Sequence, residues 1–473
     1  MPKPTLKKMK QSFTFIDLFA GIGGFHHALE ELGGKCVLAC EFDKGARQVY
    51  EHSFPQEPGR TYKFVDNIRT LTRDDIDDQD SLKSPQEISR LVPDHDIICG
   101  GFPCQPFSKS GEQRGVRDTT RGTLFFDIVQ IIEAKRPKYV FLENVRNIAG
   151  PRHENTWRTV ISSIREMGYH ISSTPMIFSP HLLPRERGGA PQVRDRVFIL
   201  GIRDDLDEQP LQDVMDFNIA LQDKALWNPD KWRIADHLDS DSSIEGLEQY
   251  AIGKNESMYV DAWNYFVSNI DTDRLPGFPI WVFAFKEKPE IEPGMPDWEV
   301  NFRIKNSAFF TEHRSFINKW KKMKWGAEKQ TVEEFPFSRQ KFEWQATKHH
   351  TTKAGRTLDD LVLQFRPSGI RVKPPTYLPA LVAISQTSVV GPRLRKRAKV
   401  GFRKLTPREA ARLQSLPDHV YSKSIVPEQA AYKQLGNAVN VGIVRAVAEV
   451  LLGRTWTPRR GAARQLPMFH ANV

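Results

Sequence analysis

The 473-residue sequence has few cysteines and no long apolar run, and each shortage excludes a class of protein. Four cysteines, Cys36, Cys40, Cys99 and Cys104, are too few for a disulfide scaffold in a chain of this length. Cys36 and Cys40 share a predicted strand with no histidine cluster beside it, which argues against a zinc site. No segment approaches the ~20 apolar residues that a membrane span requires. The sequence therefore predicts a reduced, soluble, cytoplasmic protein that holds no metal.

Acidic residues are outnumbered by basic ones, and no internal repeat is present. The chain has 68 lysines and arginines against 58 aspartates and glutamates, a net charge of +10. This excess favours a polyanionic partner such as nucleic acid, although a diffuse surplus is a weak signal. The length allows two or three domains, each with its own core.

The N-terminal part has the pattern of a nucleotide-binding unit but lacks the dinucleotide fingerprint. A strand over Phe13 to Phe19 runs into the turn Ala20 to Gly24, a helix follows over 25–32, and a second strand, 36–40, ends at Glu41. Glycines let a backbone approach a ligand closely, and an acid at the tip of the second strand suits ribose hydroxyls. The spacing is not Gly-x-Gly-x-x-Gly, which argues against a nicotinamide dehydrogenase and favours a cofactor without a pyrophosphate. An ordinary tight turn is the alternative.

A candidate nucleophile stands where another buried strand ends. The strand Asp96 to Gly100 is followed by Cys104, which lies between Pro103 and Pro106, and then by a glycine-rich polar segment. Open α/β sheets place reactive groups at the carboxyl ends of their strands, and the prolines restrict the backbone that carries the thiol. Cys104 is therefore a candidate for covalent catalysis. The alternative is a small buried hydrophobic residue.

Polar residues also end two further predicted strands. They are Asp66-Asn67 and Glu143-Asn144, and the second pair is expected at the same edge of the sheet as Cys104. Further on, Gln192 to Arg196 leads into a predicted strand, 197–200, and the alternation puts Gln192, Arg194 and Arg196 on one face. A solvated sheet edge is the alternative for these arginines.

The alternation of predicted strands and helices stops near residue 206. The segment 206–400 is rich in tryptophan, proline and lysine and has few periodic apolar runs. Basic residues alternate with aromatic ones in Lys319 to Trp325, a pattern that suits nucleic acid, although each tryptophan could equally be a core residue. The densest basic cluster suits phosphate contacts and comprises Arg393, Arg395, Lys396, Arg397, Lys399, Arg403 and Lys404. After it, Thr406 and Pro407 predict the start of a helix.

Taken together, these motifs resemble those of the bacterial DNA (cytosine-5) methyltransferases, and they stand in that family's order. The matching stretches are Asp17 to Gly24, Pro103 to Gln105, Glu143 to Val145, Gln192 to Arg196, Arg403 to Leu416 and Gly436 to Val439. The resemblance implies an α/β fold, a Rossmann-like sheet of the S-adenosylmethionine-dependent methyltransferases, with a large, mostly irregular target-recognition domain inserted. The domains expected on this basis are a catalytic and cofactor-binding domain (1–205), the recognition domain (206–400), a support helix and returning C-terminal helix (401–458) and a basic tail (459–473).

The resemblance also implies the chemistry. Cys104 would add to carbon-6 of a flipped-out cytosine, which makes carbon-5 a nucleophile towards the methyl group of S-adenosylmethionine. Glu143 would protonate ring nitrogen 3, Arg196 would hold the cytosine carbonyl and orient Glu143, and Arg194 would supply positive charge to the thiol.

The same resemblance implies two binding sets. Cofactor contacts are expected from Asp17, Phe19, Gly21, Gly23, Glu41, Phe42, Pro103, Asn437 and either Asp66 or Asn67. Substrate contacts are expected from Gln105, Ser108, Asn144, Gln192, Arg366 and Arg371.

The expected partner is double-stranded DNA, with a restriction endonuclease acting on the same site as a further partner and a monomer as the oligomeric state. Two alternatives stay open at this stage. One is an RNA cytosine-5 methyltransferase on the same fold, and the other is a non-catalytic nucleic-acid-binding relative. The long, basic, aromatic-rich insertion favours duplex DNA, and the joint presence of Cys104, Glu143, Arg194 and Arg196 favours catalysis.

Overall fold

The chain forms two compact units in the computed structural model. The described residues are 12–59, 61–103, 123–172, 174–206, 228–381, 388–421 and 425–453. The first unit takes in 1–227, 379–384 and 410–473, and the second takes in 228–378 and 385–409. The predicted recognition domain and the second unit overlap over most of their length, while 401–409, predicted with the returning C-terminal part, falls in the second unit. Cys104, Gln105, Ser108 and the predicted basic tail lie outside the described residues.

An eight-stranded mixed sheet forms the centre of the first unit. Its strands are β1 (Phe13–Leu18), β2 (Gly34–Cys40), β3 (Lys63–Val65), β4 (Ile97–Gly101), β5 (Tyr139–Val145), β6 (Tyr169–Ile171), β7 (Met176–Phe178) and β9 (Arg196–Arg203). The order is β3-β2-β1-β4-β5-β9-β6, and β7 also pairs with β9. The five strands from β3 to β5 are parallel, whereas β9 runs antiparallel to β5. This sheet is the α/β core that the motif order predicts.

Helices and apolar cores cover the faces of this sheet. The helices of the first unit are α1 (Gly24–Glu31), α2 (Lys44–Ser53), α3 (Arg69–Thr72), α4 (Pro85–Leu91), α5 (Leu124–Lys135), α6 (Glu154–Glu166), α11 (Glu428–Asn437) and α12 (Val441–Leu451). A further helix, α10 (Pro407–Leu413), begins in the second unit and ends in the first. β1 contributes to two cores: Phe13 and Phe15 pack in one, while Ile16 and Leu18 pack in the other. A strand buried on both faces is what a parallel sheet requires.

The strand order reverses between β1 and β4, and this position fixes where a ligand can bind. β1 pairs with β2 on one side and with β4 on the other, so the connections that leave β1 and β4 diverge. The crevice outside the carboxyl ends of strands at such a switch point is the usual ligand site of an open α/β sheet. Gly100 allows the two strands to come close, since a Cβ there would lie 2.2 Å from the Leu18 carbonyl oxygen.

The second unit has its own core and its own sheet. Its strands are β10 (Ile280–Trp281), β11 (Lys341–Trp344), β12 (Val362–Arg366), β13 (Gly369–Lys373), β15 (Ser388–Val390) and β16 (Arg403–Lys404), in the order β10-β11-β13-β12-β15-β16. Its helices are α7 (Lys254–Asn269), α8 (Asp297–Glu312) and α9 (Arg314–Lys321). Two short strands, β8 (Gln192–Val193) and β14 (Leu378–Pro379), complete the chain order. The α-helices and strands hold a minority of this unit's residues, in keeping with the expectation of a mostly irregular domain. The six-stranded sheet, however, was not predicted.

The expected basic phosphate cluster is partly wrong, because two of its members are internal. Arg395 and Arg403 are buried, and both donate to Asp241, at 2.6 Å and 3.2 Å respectively. Arg403 also donates to both carboxylate oxygens of Glu409. Charges removed from water need such partners, so these arginines stabilise the second unit and are not available to a polyanion.

Two local predictions, the helix start at Thr406 and a core position for Trp320, are confirmed. Thr406 begins α10 as a capping box: its hydroxyl accepts from the Glu409 backbone N–H, and the Glu409 carboxylate accepts from the Thr406 N–H. Trp320 is a core residue that donates its indole N–H to the Ala262 carbonyl, so for this tryptophan the core alternative is correct.

Candidate active site

A cavity of about 460 Å³ opens at the switch point of the first unit. Such a volume suits a small-molecule cofactor or substrate. Residues at or just after the carboxyl ends of β1, β2, β4 and β5 line it, together with residues of α1, α2 and α11, the start of β9 and the segment after α11. The lining residues are Phe19 to Ile22, Gly24, Phe25, Glu41, Asp43, Ala46, Gly101 to Pro103, Glu143 to Val145, Arg196, Lys433, Gln434 and Gly436 to Val439.

The turn after β1 has the strained backbone of a ligand contact. Phe19 has a φ of +55°, Gly21 one of +56° and Gly23 one of +87°. A bulky residue in the left-handed region costs about 1–2 kcal/mol, and such strain concentrates at ligand sites. A Cβ on Gly23 would lie 2.3 Å from the Phe54 ring, so packing as well as φ requires glycine there. Phe19 and Gly21 line the cavity, whereas Gly23 shapes the turn from behind.

Glu41 connects the turn to the end of β2. Its Oε2 accepts from the Gly21 N–H at 2.8 Å, and its Oε1 accepts from the Asp43 N–H at 2.7 Å. Burial raises the pKa of Glu41, and these two hydrogen bonds oppose the rise. Each carboxylate oxygen keeps a lone pair for a hydroxyl group in the cavity.

Four of the other predicted cofactor residues do not line this cavity. Asp17 is buried, and burial together with the nearby charge of Glu41 raises its pKa well above the usual range. Phe42 is 78% exposed. Asp66 pairs with Arg47 at 3.7 Å, and the Asn67 side-chain oxygen accepts from the Arg69 N–H. Pro103 and Asn437 both line the cavity.

The other half of the cavity holds an acid beside an arginine. Glu143 lies near the end of β5 and is buried, and its Oε1 lies 3.0 Å from Arg196 Nε at the start of β9. Register explains the contact, because β5 and β9 are antiparallel and Val145 pairs with Arg196. Burial raises the pKa of Glu143, while the charges of Arg196 and Arg194 act in the opposite direction. The net effect of burial is to shift this carboxyl group towards its protonated form.

Asn144 supports the segment that precedes Cys104 in the sequence. Its Nδ2 donates to the Phe102 carbonyl at 2.9 Å, and its Oδ1 accepts from the Val145 N–H. The amide thereby fixes the backbone directly before Pro103 and joins β5 to the end of β4.

The predicted alternation over 192–196 is wrong, because β8 ends at Val193 and β9 begins at Arg196. Gln192 and Arg194 are buried and do not line the cavity, whereas Arg196 does. Arg194 donates to the carbonyl oxygens of Leu381, Gly436 and Ala438, the last two at 2.8 Å. Burial lowers the pKa of Arg194 to about 9, which still leaves it charged at neutral pH. Arg194 therefore fixes the segment that closes one side of the cavity.

Several lining residues were not predicted from the sequence. Gly101, Phe102 and Val145 are sequence neighbours of the predicted motifs, so their proximity was a usable signal. Lys433 and Asp43 carried no such signal, because their contribution depends on how α2 and α11 approach the cavity.

Within the described ranges, one cluster has the side chains of a metal site. His349, His350 and Asp360 lie in the second unit, with their candidate ligand atoms within 4.8 Å of one another. Each imidazole Nε2 lies within hydrogen-bond distance of a different oxygen of Asp360, at 3.2 Å and 2.9 Å. These pairings explain the cluster without an ion.

Adjacent glycines on β4 offer a test of how the cavity depends on Glu143. A Cβ on Gly101 would lie 3.1 Å from Glu143 Oε2, so Gly101→Ala is expected to displace the carboxyl group. Misplacement of a reacting group costs up to ~10²-fold in rate, so turnover at this site should fall by up to that factor with a nearly unchanged unfolding temperature. Gly100→Ala is the matched control, since its Cβ meets backbone and should destabilise the fold by about 1–3 kcal/mol. Equal loss of stability in both variants would contradict the prediction.

The sheet order and the cavity define the class of the protein. An open, doubly wound α/β sheet with a ligand crevice at its switch point, a strained glycine turn and an acid after the second strand is the arrangement of a nucleoside-binding enzyme. Beside that crevice lies a buried carboxyl group with a raised pKa, which is typical of catalytic acids.

Comparison with known proteins identifies the family. Residues 13–453 match the family of C-5 cytosine-specific DNA methylases. The type II methyltransferase M.AluI of Cellulosimicrobium cellulans is 36% identical over 515 aligned positions, covering 93% of this chain and 92% of that protein. M.HhaI of Haemophilus parahaemolyticus is 40% identical over 223 positions, covering 47% and 59%. The structure of S. pombe Dnmt2 methyltransferase covers 93% of this chain and 98% of its own, with a TM-score of 0.49 and 18% identity.

The chain belongs to the C-5 cytosine-specific DNA methylase family. It is an enzyme that methylates carbon-5 of cytosine in DNA, and the family implies S-adenosylmethionine as the methyl donor. None of the helices in the described ranges combines the length and the apolar character needed to cross a membrane.

Proposed function

We propose that this enzyme methylates a flipped-out cytosine within a short specific sequence of double-stranded DNA, through a covalent adduct between Cys104 and carbon-6. The observation that carries the proposal is the composition of one cavity. The strained turn and Glu41 stand in it beside Glu143 and Arg196, and Gly101 to Pro103 lead directly into Cys104. A cofactor half and a base half thus share one space.

The cofactor half has the groups that a nucleoside requires. Phe19 would stack on the adenine, Glu41 would accept from the ribose hydroxyls, and the backbone of Gly21 to Gly23 would approach the rest of the molecule. Asn437 and Pro103 would close the sides, with the adenine amino group at Asp66 or Asn67. Bound S-adenosylmethionine supplies an electrophilic methyl group. The cavity volume and the positive φ of Phe19 support this fit.

Cys104 provides the activation that cytosine lacks. Its thiolate adds to carbon-6, and the electron pair displaced from the ring double bond makes carbon-5 nucleophilic. Carbon-5 would take the methyl group as the methyl–sulfur bond of the sulfonium breaks and leaves its electron pair on sulfur. Carbon-5 then loses its proton to solvent, and the re-formed double bond expels the thiolate. No oxidant or metal is needed for this balance, and we propose that the reaction uses none.

Glu143 and Arg196 stabilise the charge that the addition creates. A protonated Glu143 would donate to ring nitrogen 3, and the raised pKa of the buried carboxyl group supports this protonation state. Arg196, held 3.0 Å from Glu143, would donate to the cytosine carbonyl. Arg194 would act by holding Gly436 and Ala438 in place, and its contacts support a positioning role. Gln192 and Asn144 would support the base pocket from the same side.

The base cannot reach this cavity while it is stacked in a duplex. It must be extruded, which costs a few kcal/mol of unstacking and unpairing. Gln105 and Ser108, which follow Cys104 in the sequence, would contact the DNA around the extruded base. The second unit would recognise the sequence, with Arg366 and Arg371 at its DNA-binding surface.

The setting of the enzyme follows from the same proposal. We infer that it acts as a monomer in the cytoplasm, beside a restriction endonuclease that cuts the same sequence. Support for the reducing compartment comes from Cys36, Cys40 and Cys99, which are free thiols in the structure.

Expression in bacterial cells that lack cytosine methylation tests the function directly. Bisulfite sequencing of their genomic DNA should show methylcytosine at one short motif and at that motif throughout the genome. Purified enzyme should then methylate a duplex that carries the motif and leave transfer RNA unmodified. Methylation of transfer RNA with none on duplex DNA would instead make this an RNA methyltransferase.

A further inference from the structure

Three charged side chains meet on the sheet of the second unit. Glu343 lies on β11, Arg366 ends β12, and Arg371 lies on β13, the strand between the other two. Register brings them together, since Arg371 pairs with Glu343 across the parallel ladder and Arg366 pairs with Gly369 across the hairpin. Glu343 Oε2 accepts from Arg366 Nη2 at 2.7 Å and from Arg371 Nε at 2.9 Å. We refer to these residues as the Glu343 triad.

The triad has more positive charge and more donors than its own contacts use. One carboxylate faces two guanidinium groups, which leaves one positive charge uncompensated. In the part of the chain that the structure describes, Arg371 makes its side-chain hydrogen bond through Nε, so its two terminal NH₂ groups keep their donors. Arg366 instead uses Nη2 for Glu343, and its Nε is buried with no partner among the described residues. Arg371 is therefore the member that presents its whole Nη1–Nη2 edge to a ligand, Glu343 holds Arg371, and Arg366 holds Glu343.

A cavity of about 260 Å³ adjoins the triad and has an aromatic side. Trp281, Trp298 and Phe302 line it together with Glu343, Arg366 and Arg371. Trp298 is 57% exposed, although a large apolar side chain normally turns away from water. Exposed aromatic surface next to guanidinium groups is typical of a binding surface.

A second cation reinforces the charge of this surface. Lys341 lies on β11 and lines the same cavity. Its ammonium group is 4.1 Å from the ring centroid of Phe337 and 5.2 Å from that of Trp281. These cation–π contacts hold the lysine against the aromatic rings, so its charge adds to that of the two arginines in the lining of the cavity.

The geometry separates two kinds of DNA contact. A phosphate requires positive charge, and a mobile lysine or arginine at the surface supplies it. A base edge requires donors at fixed positions, because a guanine presents O6 and N7 as two acceptors in one plane. A guanidinium group tied down through Nε presents its opposite edge, Nη1 and Nη2, for a bidentate contact of this kind.

We propose that Arg371 reads a guanine of the recognition sequence through O6 and N7, and that Glu343 and Arg366 are the positioning residues that make this reading specific. The inference rests on the proposed function, since a guanine contact matters only if the second unit meets duplex DNA. The aromatic side of the cavity packs against the neighbouring base, where an apolar contact suits a thymine methyl group.

Genome-wide methylation maps test the inference with four proteins, the wild type, Arg371→Lys, Glu343→Gln and the control Arg393→Lys, and with a fifth that combines Arg371→Lys and Glu343→Gln. Arg393 belongs to the same unit, is largely exposed and pairs with Asp359 at 3.7 Å, so the control changes an arginine outside the triad. Arg371→Lys keeps the positive charge and removes the planar pair of Nη1 and Nη2 donors. It should relax the motif at one G·C pair, with discrimination against the wrong base reduced about ten- to hundredfold. Glu343→Gln should relax the same position, and the double variant should relax it no further than Arg371→Lys alone. Arg393→Lys should leave the motif unchanged.

Each other result overturns a defined part of the inference. An unchanged motif with uniformly weaker methylation, and a shallower salt dependence of DNA binding, would make Arg371 a phosphate contact. Relaxation by Arg371→Lys with none by Glu343→Gln would remove the positioning role. Absence of any methylated motif with the wild type would end the proposed function and this inference with it. Thermal unfolding of all five proteins separates loss of reading from loss of fold, and Glu343→Gln carries the test if Arg371→Lys unfolds.

Discussion

Replacement of Cys104 by serine is expected to abolish methyl transfer and to leave binding of cofactor and DNA intact. A serine hydroxyl stays protonated at neutral pH and is a far weaker nucleophile than a thiolate, so carbon-6 would not be attacked. Without that addition carbon-5 is too weak a nucleophile to take the methyl group, and neither Glu143 nor Arg196 can add to carbon-6 in place of the thiolate. Loss of a nucleophile of this kind costs about 10⁴-fold or more in rate. Transfer of labelled methyl groups to a duplex bearing the motif measures the loss.

A trapping experiment separates the covalent step from the rest of the reaction. A duplex with 5-fluorocytosine at the target position has no carbon-5 proton to release, so the adduct cannot collapse to product. The wild type should form a complex that survives denaturing electrophoresis, and Cys104→Ser should form none.

The matched control for Cys104→Ser is another thiol on the preceding strand. Cys99 is buried on β4, donates to the Ile16 carbonyl, and has a pKa that burial raises well above the usual range, so it is unreactive. Cys99→Ser should retain trapping and methyl transfer. Methyl transfer by Cys104→Ser at more than a tenth of the wild-type rate would rule out the proposed mechanism.

The sequence predicted the parts of the site that depend on a single strand and the turn after it. The carboxyl ends of parallel strands share one edge, so Phe19, Glu41 and Glu143 could be placed together from strand order alone. The structure brings these three residues to one cavity. Local hydrogen bonding was predictable for the same reason, as Thr406 and Glu409 lie within one turn.

Predictions failed where distant partners decide the outcome. Arg194 donates to carbonyl oxygens 242 and 244 positions further along the chain, and no local alternation can show such a contact. Arg395 and Arg403 look like surface charge in sequence, but Asp241, more than 150 positions away, accepts from both. The sheet of the second unit escaped detection because its strands have only two to five residues, too few for a period of two to be visible.

Replacement of Glu143 by glutamine is expected to lower kcat by about 10²- to 10⁴-fold and to remove one limb of the pH profile. The wild-type carboxyl group must be protonated to donate to ring nitrogen 3, so its rate should fall as the pH rises through the raised pKa of Glu143. Glutamine keeps the shape and a donor but has no proton to transfer, so the rate of Glu143→Gln should be low and flat over that range. Stopped-time assays across the pH range, with cofactor and DNA saturating, measure both effects.

Glu41→Gln is the control, because Glu41 is also a carboxyl group with a raised pKa in the same cavity but contacts the cofactor half. It should raise the KM for S-adenosylmethionine and leave kcat and its pH dependence nearly unchanged. An equal fall in kcat for both variants would show that loss of any buried acid, rather than of proton donation, impairs the enzyme.

Stability provides an independent check on the protonation state of Glu143. A carboxyl group whose pKa is higher in the folded than in the unfolded protein binds its proton more tightly when folded. Its contribution to the free energy of unfolding is full below the unfolded pKa and is lost as the pH rises through the folded one. Glutamine does not titrate, so the free energy of unfolding of Glu143→Gln, relative to the wild type, should increase with pH over that window. A relative stability that falls with pH would mean that the pairing with Arg196 outweighs burial, and that Glu143 is ionised when the base enters.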